Sequence, residues 1–127
     1  SGPATDIEVN VSDGWTVILT QSITISNSTH RVKIEVGGKP KIAAYRDTKF
    51  EIGLYRGTNL LYNVGDQVAD NSDNYNVISG LVWVDTPGSV GTHTYYYKFR
   101  QTEDFSTTKT KAIANTITMC CTEMKGA

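Results

Sequence analysis

Turn signals recur about every 8–12 residues along this 127-residue chain, and no other feature constrains its fold as strongly. Asp13-Gly14, Asn27-Ser28-Thr29, Gly37-Gly38-Lys39-Pro40, Gly57-Thr58 and Asp85-Thr86-Pro87-Gly88 each break a short apolar run. In the last of these, Pro pre-sets its own φ and Gly tolerates a positive one. The runs themselves are rich in Thr, Val and Ile, which far outnumber Leu, Met and Ala. Branched and aromatic side chains suit a pleated, half-buried surface, and good helix formers are scarce here. The pattern predicts an all-β chain of about eight strands with no helix, in the rhythm of a sandwich or barrel.

Individual strands can be read from their period. Trp15 to Ile25 is a long first strand, with Gln21-Ser22 as a bulge or sheet crossing. Val32, Ile34 and Val36 alternate with Arg31, Lys33 and Glu35, the mark of a half-buried strand. Phe50, Ile52 and Leu54 repeat that pattern, and Leu60 to Val64 continues as a short strand. Gly65 to Asn76 reads as the most polar loop, and Val77 to Val84 as a continuous central strand. Thr94 to Arg100 places Tyr95, Tyr97 and Phe99 on one face and Thr94, Tyr96 and Lys98 on the other. Gln101 to Thr110 reads as loop, and Ile117, Met119 and Cys121 close the fold.

Size and charge exclude several classes. At 13.9 kDa the chain fits one domain, which buries roughly two-thirds of its unfolded surface. A hydrophobic fraction of 39% is low, so part of the stability is expected from a subunit interface. The net charge is −1 and Lys and Arg are scattered rather than clustered, so no nucleic-acid partner is expected. No apolar run approaches the ~18 residues of a membrane span, and no membrane insertion is expected. The start Ser1-Gly2-Pro3, without Met, reads as an excised piece of a longer chain. Cys120 and Cys121 are the only cysteines. Neighbours in a strand point to opposite faces, so they form neither a mutual bridge nor a paired zinc site.

Catalytic and metal patterns are weak. His30 and His93 lie far apart beside turns, and no G-x-S-x-G or H-E-x-x-H pattern occurs. The oxygen-rich run Asp70-Asn71-Ser72-Asp73-Asn74 fails as an EF-hand: Tyr75 stands where Gly is needed, and Leu81 where a bidentate Glu is needed. Its plainer account is a solvated loop. The carboxylates Glu35, Asp47, Glu51, Asp66, Asp70, Asp73, Asp85, Glu103 and Asp104 alternate with cations or sit in turns, unlike the paired acids of a glycosidase. The aromatics are more suggestive. Trp15, Trp83 and seven tyrosines can serve a core or a sugar- or protein-binding face, with Tyr45, Tyr55, Tyr62 and Tyr75 nearest the loops.

A resemblance begins at Leu81-Val82-Trp83-Val84-Asp85-Thr86-Pro87-Gly88 and Thr94-Tyr95-Tyr96-Tyr97-Lys98-Phe99-Arg100. This strand, turn and strand resembles the "F-L-D-S-P … T-x-Y-K-x-x-x-R" stretch near the C-terminus of phage tail-fibre-like proteins. Ile52-Gly53-Leu54-Tyr55-Arg56-Gly57-Thr58 is similar to the same family's "L-x-R-G-[ST]", and Val64-Gly65-Asp66 to its following "G-D". Ile117 to Glu123 is similar to its final "I-T-x-x-E" strand, with one residue extra, and Lys109 to Asn115 replaces its "Y-I-N" segment. The likeness covers residues 14–125, with residues 1–13 as linker, appended remnant and start of the domain.

The resemblance implies an antiparallel jelly-roll-like β-sandwich that forms a homotrimer and caps a fibre. The fibre would belong to a virion tail or to a bacterial surface fibre of phage origin. It implies receptor binding: adhesion to a host or prey cell-surface glycan or protein, without catalysis and without a cofactor. A purely structural trimerisation cap and a small glycan-processing enzyme are the alternatives. On polarity and loop position, the ligand-binding candidates are Asp70, Asn71, Asp73, Asn74 and Tyr75 in one loop and Ser89 and His93 in the Pro87 to His93 loop.

Overall fold

The computed structural model describes residues 7–9, 14–38, 41–44, 48–63, 67–69, 75–77, 81–104, 110–113 and 117–125. Among them there are strands and turns and no helix, as the composition requires. In chain order the strands are β1 (Ile7–Val9), β2 (Thr16–Ile25), β3 (Arg31–Gly38), β4 (Lys41–Ala44), β5 (Thr48–Arg56) and β6 (Asn59–Asn63). Then come β7 (Gln67–Ala69), β8 (Tyr75–Val77), β9 (Leu81–Asp85), β10 (Gly91–Asp104), β11 (Thr110–Ile113) and β12 (Ile117–Met124).

Every strand pair is antiparallel. One sheet has the order β2-β10-β5-β6, with β7 on the same edge of β5 further along. A second has the order β12-β3-β9, and a third β1-β11-β4-β8. Strands β11, β4 and β8 of the third neighbour β12, β3 and β9 along the chain and have the same lateral order.

The core lies between the β10 sheet and the β3 sheet, a β-sandwich-like arrangement. Ile18, Leu19 and Ile25 of β2, Ile52 and Leu54 of β5, and Tyr95, Tyr97 and Phe99 of β10 pack with Val32, Ile34 and Val36 of β3 and Met119 of β12. Each fully buried large side chain contributes about 1.5–3 kcal/mol over its exposed state. The alternation read from β3 and β10 is therefore the alternation that builds the core. The β9–β10 connection crosses between the sheets, and Gly88 adopts φ +79°, the value that follows Pro in a type II turn. In the β5–β6 hairpin the two-residue loop starts at Gly57 with φ +56°.

Several expectations change. There are twelve strands among the described residues, and β1 falls within residues 1–13, the stretch read as linker, appended remnant and start of the domain. Gln21 and Ser22 pair without interruption with Tyr95 and Thr94. The bulge is instead at Ile18, between the pairs Val17↔Lys98 and Leu19↔Tyr97, which lets two consecutive residues, Ile18 and Leu19, both face the core. The apolar run ending at Val84 is two strands, β8 and β9, and β9 is an edge strand rather than a central one. An apolar run does not distinguish burial on both faces from an exposed apolar stripe: Val82 and Val84 point outward, 61% and 42% exposed. The polar stretch after Arg100 stays in strand to Asp104, because Glu103 and Asp104 pair with Lys49 and Thr48 of β5.

Candidate functional site

The second face of β10 carries the most distinctive chemistry. Thr92, Thr94, Tyr96, Lys98 and Arg100 alternate with the core residues and so turn away from the sandwich interior. Register then sets their neighbours: Tyr96 lies between Thr20 and Tyr55, Lys98 between Val17 and Gly53, and Arg100 beside Glu51. At one end the face is a hydroxyl ladder, with Thr92 and Thr24 hydroxyls 2.8 Å apart and Thr94 and Ser22 hydroxyls 2.8 Å apart. At the other end it becomes an aromatic and cationic platform.

Trp15, just before β2, meets Tyr55 edge to face, with ring centroids 5.6 Å apart and planes at 70°. The Arg100 guanidinium sits 4.7 Å from the Trp15 ring centre, and the Lys98 ammonium 4.2 Å from that of Tyr55 and 5.4 Å from that of Tyr96. Gly53 makes this packing feasible. A methyl group there would come within 2.9 Å of Tyr55 Cε1, 3.2 Å of Trp15 Cη2 and 3.3 Å of Leu60 Cδ1. Arg100 Nη2 donates to both Glu51 oxygens at 3.2 Å, and Asn63 Nδ2 donates to Glu51 Oε2 at 2.9 Å. The Asn63 hydrogen bond, aided by Arg100, holds the Glu51 carboxyl below its ordinary range, while burial pushes the Tyr55 phenol up. The two cations lie over ring faces and Tyr55 itself is buried, so what the patch offers outward is the half-exposed Trp15 and Tyr96 with the charged and amide groups between them, a set that can orient the hydroxyls or charge of a polar ligand.

Two other polar clusters bind their own members, one buried and one at the surface. Asp85 of β9 is 7% exposed and accepts from Arg56 Nη1 at 2.6 and 2.8 Å and from Tyr95 Oη at 2.7 Å. This joins the two sheets across one end of the core. Burial, then the bond to Asp85, pushes the Tyr95 phenol up, so it stays protonated and donates. At the β2–β3 turn, Glu123 Oε2 accepts from Ser26 N (2.9 Å), Ser26 Oγ (3.0 Å) and His30 Nδ1 (2.6 Å). The three groups would suit a hydrolytic triad by type, but not by arrangement. Ser26 donates to the Glu123 carboxylate rather than to His30, so the order Ser–His–acid is not formed.

Among the sequence-derived candidates, Asp70, Asn71, Asp73 and Asn74 lie outside the described residues, as does the side chain of Tyr75. The backbone of Tyr75 opens β8 and pairs with Ala43, and β7 occupies residues 67–69, so the Gly65 to Asn76 stretch is not one loop. Ser89 and His93 do come together: His93 Nε2 is 2.8 Å from the Ser89 carbonyl oxygen. His93 belongs to β10 rather than to the loop, and its ring pins the connection. Among the described residues no three His, Cys, Asp or Glu side chains group as metal ligands do.

Trp15, Glu51, Gly53, Lys98 and Arg100 were missed as a site by sequence reasoning. The outward alternation of Tyr96, Lys98 and Arg100 was a usable signal, but the register that brings Trp15 over Gly53 was not. No protein-family model matches the chain, and a search of the curated proteins finds no relative.

Proposed function

We propose that this chain is the receptor-binding tip of a trimeric fibre, a jelly-roll protomer that adheres to a cell-surface glycan or protein. The observation that carries the reading is the platform of Trp15, Tyr55, Tyr96, Lys98 and Arg100 on the outward face of a regular sheet. An outward sheet face in water needs only polar residues; rings held in fixed geometry there suit a partner. Strands also hold such rings more rigidly than loops would.

Trimer formation is supported by the apolar stripe of Val82 and Val84 on edge strand β9. Closed threefold association would cover such an edge. Three weak sites at one tip gain avidity together. The fibre would stand on a virion tail or a cell surface. A second reading, a trimerisation cap without a ligand, is favoured by the use of Arg56, Asp85 and Tyr95. These residues fall in the segments that carry the fibre resemblance, and they bind one another inside the fold.

The experiment is adhesion of the purified chain to intact host or prey cells, with wild type compared with Trp15→Ala and Tyr96→Ser, and with mass by light scattering alongside. We expect a mass near three protomers and adhesion lost in both variants at unchanged mass. Wild-type adhesion in both variants would remove the platform from the reading, and a wild-type trimer that adheres to nothing would leave the cap.

A further inference from the structure

We propose that the platform reads an acidic saccharide, with Lys98 as the group that receives its carboxylate, sulfate or phosphate. The inference rests on the adhesive reading above and names the class of sugar that the same face selects.

The Lys98 ammonium is surrounded by ring faces, 4.2 Å from the centre of Tyr55 and 5.4 Å from that of Tyr96. No ion pair holds it among the described residues, and the nearby carboxylate of Glu51 is already taken by Arg100 and Asn63. Lys98 is half-buried, so part of its hydration is already removed before any ligand arrives. An anion that docks there meets a cation whose interaction is less screened than on open surface. The arriving charge also has an orientation. At the Arg100 end the cation is already neutralised by Glu51, so the acidic group belongs over Lys98 on the Tyr96 side and hydroxyls belong toward the Arg100–Glu51 pair.

Beyond Tyr96 the face continues as the hydroxyl ladder of Thr94 with Ser22 and Thr92 with Thr24. Tyr96 to Thr92 spans roughly 13 Å of strand, room for a further sugar unit or two. An extended oligosaccharide with one acidic residue over Lys98 therefore fits the face better than a single sugar. A subunit contact fits it less well, because interface cores are depleted of charge and three charged side chains sit at the centre of this face. A nucleic acid would need several cations in register with its phosphates, and here Arg100 is already committed to Glu51.

The test is titration of the intact chain with matched pairs of probes: trigalacturonate and its methyl ester, and sialyllactose and lactose. Wild type should prefer an acidic member over its neutral counterpart by about tenfold or more, the worth of a charge-assisted contact. Lys98→Gln should erase that preference while circular dichroism and a cooperative melt show the fold retained, and Lys98→Arg should keep it. Equal binding of acidic and neutral members, or an unchanged preference in Lys98→Gln, overturns the proposal. Cell adhesion of the wild-type chain, read in parallel, separates the two ideas. Adhesion without acid preference refutes this inference and leaves the adhesive reading standing, whereas absence of both removes the two together.

Discussion

Replacing Asp85 with Ala is the sharpest test of what holds the two sheets together. Its carboxylate is 7% exposed, receives two hydrogen bonds from one Arg56 nitrogen and accepts the Tyr95 hydroxyl. Removal strands a guanidinium and a phenol at the same moment. Breaking a buried ion pair from one side costs about 3–5 kcal/mol. The Arg56 side chain keeps 23% exposure, so it recovers part of that by taking up water. The Tyr95 hydroxyl cannot, because the residue is fully buried, and an orphaned donor costs about 1–3 kcal/mol. Together these place the loss at about 3–5 kcal/mol, or roughly 10–20 °C in melting temperature for a chain of this size.

Asp85→Asn keeps one oxygen acceptor but loses the charge and turns the second acceptor into a donor, so it should cost less than Ala, about 1–3 kcal/mol. The assay is urea unfolding followed by circular dichroism at one fixed protein concentration, since association would otherwise shift the midpoint. In a double-mutant cycle with Arg56→Leu, the double variant should be less destabilised than the sum of the singles by more than about 1 kcal/mol. An Asp85→Ala chain within about 0.5 kcal/mol of wild type would refute the reasoning, as would equal losses in Ala and Asn.

Other outcomes follow from the same geometry. Gly53→Ala should destabilise by about 1–3 kcal/mol and shift tryptophan emission, because the new methyl displaces Tyr55 and Trp15; equilibrium unfolding and fluorescence check it. Stability should fall in acid. Backbone and side-chain bonds from Ser26 and His30 hold Glu123 below its ordinary value, and Asn63 and Arg100 do so for Glu51. A depressed carboxyl contributes its stability above the unfolded value and loses it as pH falls through the folded one, so melting temperature should drop from about pH 4.5 downward. A Glu51→Gln, Glu123→Gln chain should show a flatter profile. Iodoacetamide at pH 8 should label Cys120, which is exposed, well before Cys121, whose thiol burial pushes up to about 11; peptide mass spectrometry separates the two.

Strand faces were legible in the sequence wherever period and burial agreed. Val32, Ile34 and Val36, and likewise Tyr95, Tyr97 and Phe99, alternate because one face is dry and the other wet, and that contrast is written residue by residue. Pairing was less legible. The Ile18 bulge exists only in relation to Tyr97 and Lys98, some eighty positions away, and no local signal marks it. The same holds for the site. Polarity led to Asp70 to Tyr75 and to Ser89 and His93, because loops collect polar residues. The platform instead lies on strands, where Trp15, Gly53 and Lys98 become neighbours only through the order β2-β10-β5. Arg56, Asp85 and Tyr95 fall within the three stretches that resemble tail-fibre sequences, and the fold uses all three to fasten its sheets.

The pairing of β2 with β10 also bears on how the chain is made. Ser22 and Thr94, hydrogen-bonded partners, are 72 residues apart, and Thr24 and Thr92 are 68 apart. At a translation rate of roughly 5–20 residues per second, β2 leaves the ribosome on the order of 4–14 s before its partner is synthesised. Through that interval Ile18, Leu19, Ile23 and Ile25 lack Tyr95, Tyr97 and Phe99 and the strand that pairs β2, and the long loop must still close before that pairing rewards it. The Thr and Ser hydroxyls on the opposite side of β2 then serve a purpose apart from the finished surface: they keep a waiting strand in solution. The order of strands thus places the pairing of β2 among the late, non-local steps, and the yield of folded chain is expected to depend on temperature during expression, which soluble yield at two temperatures checks.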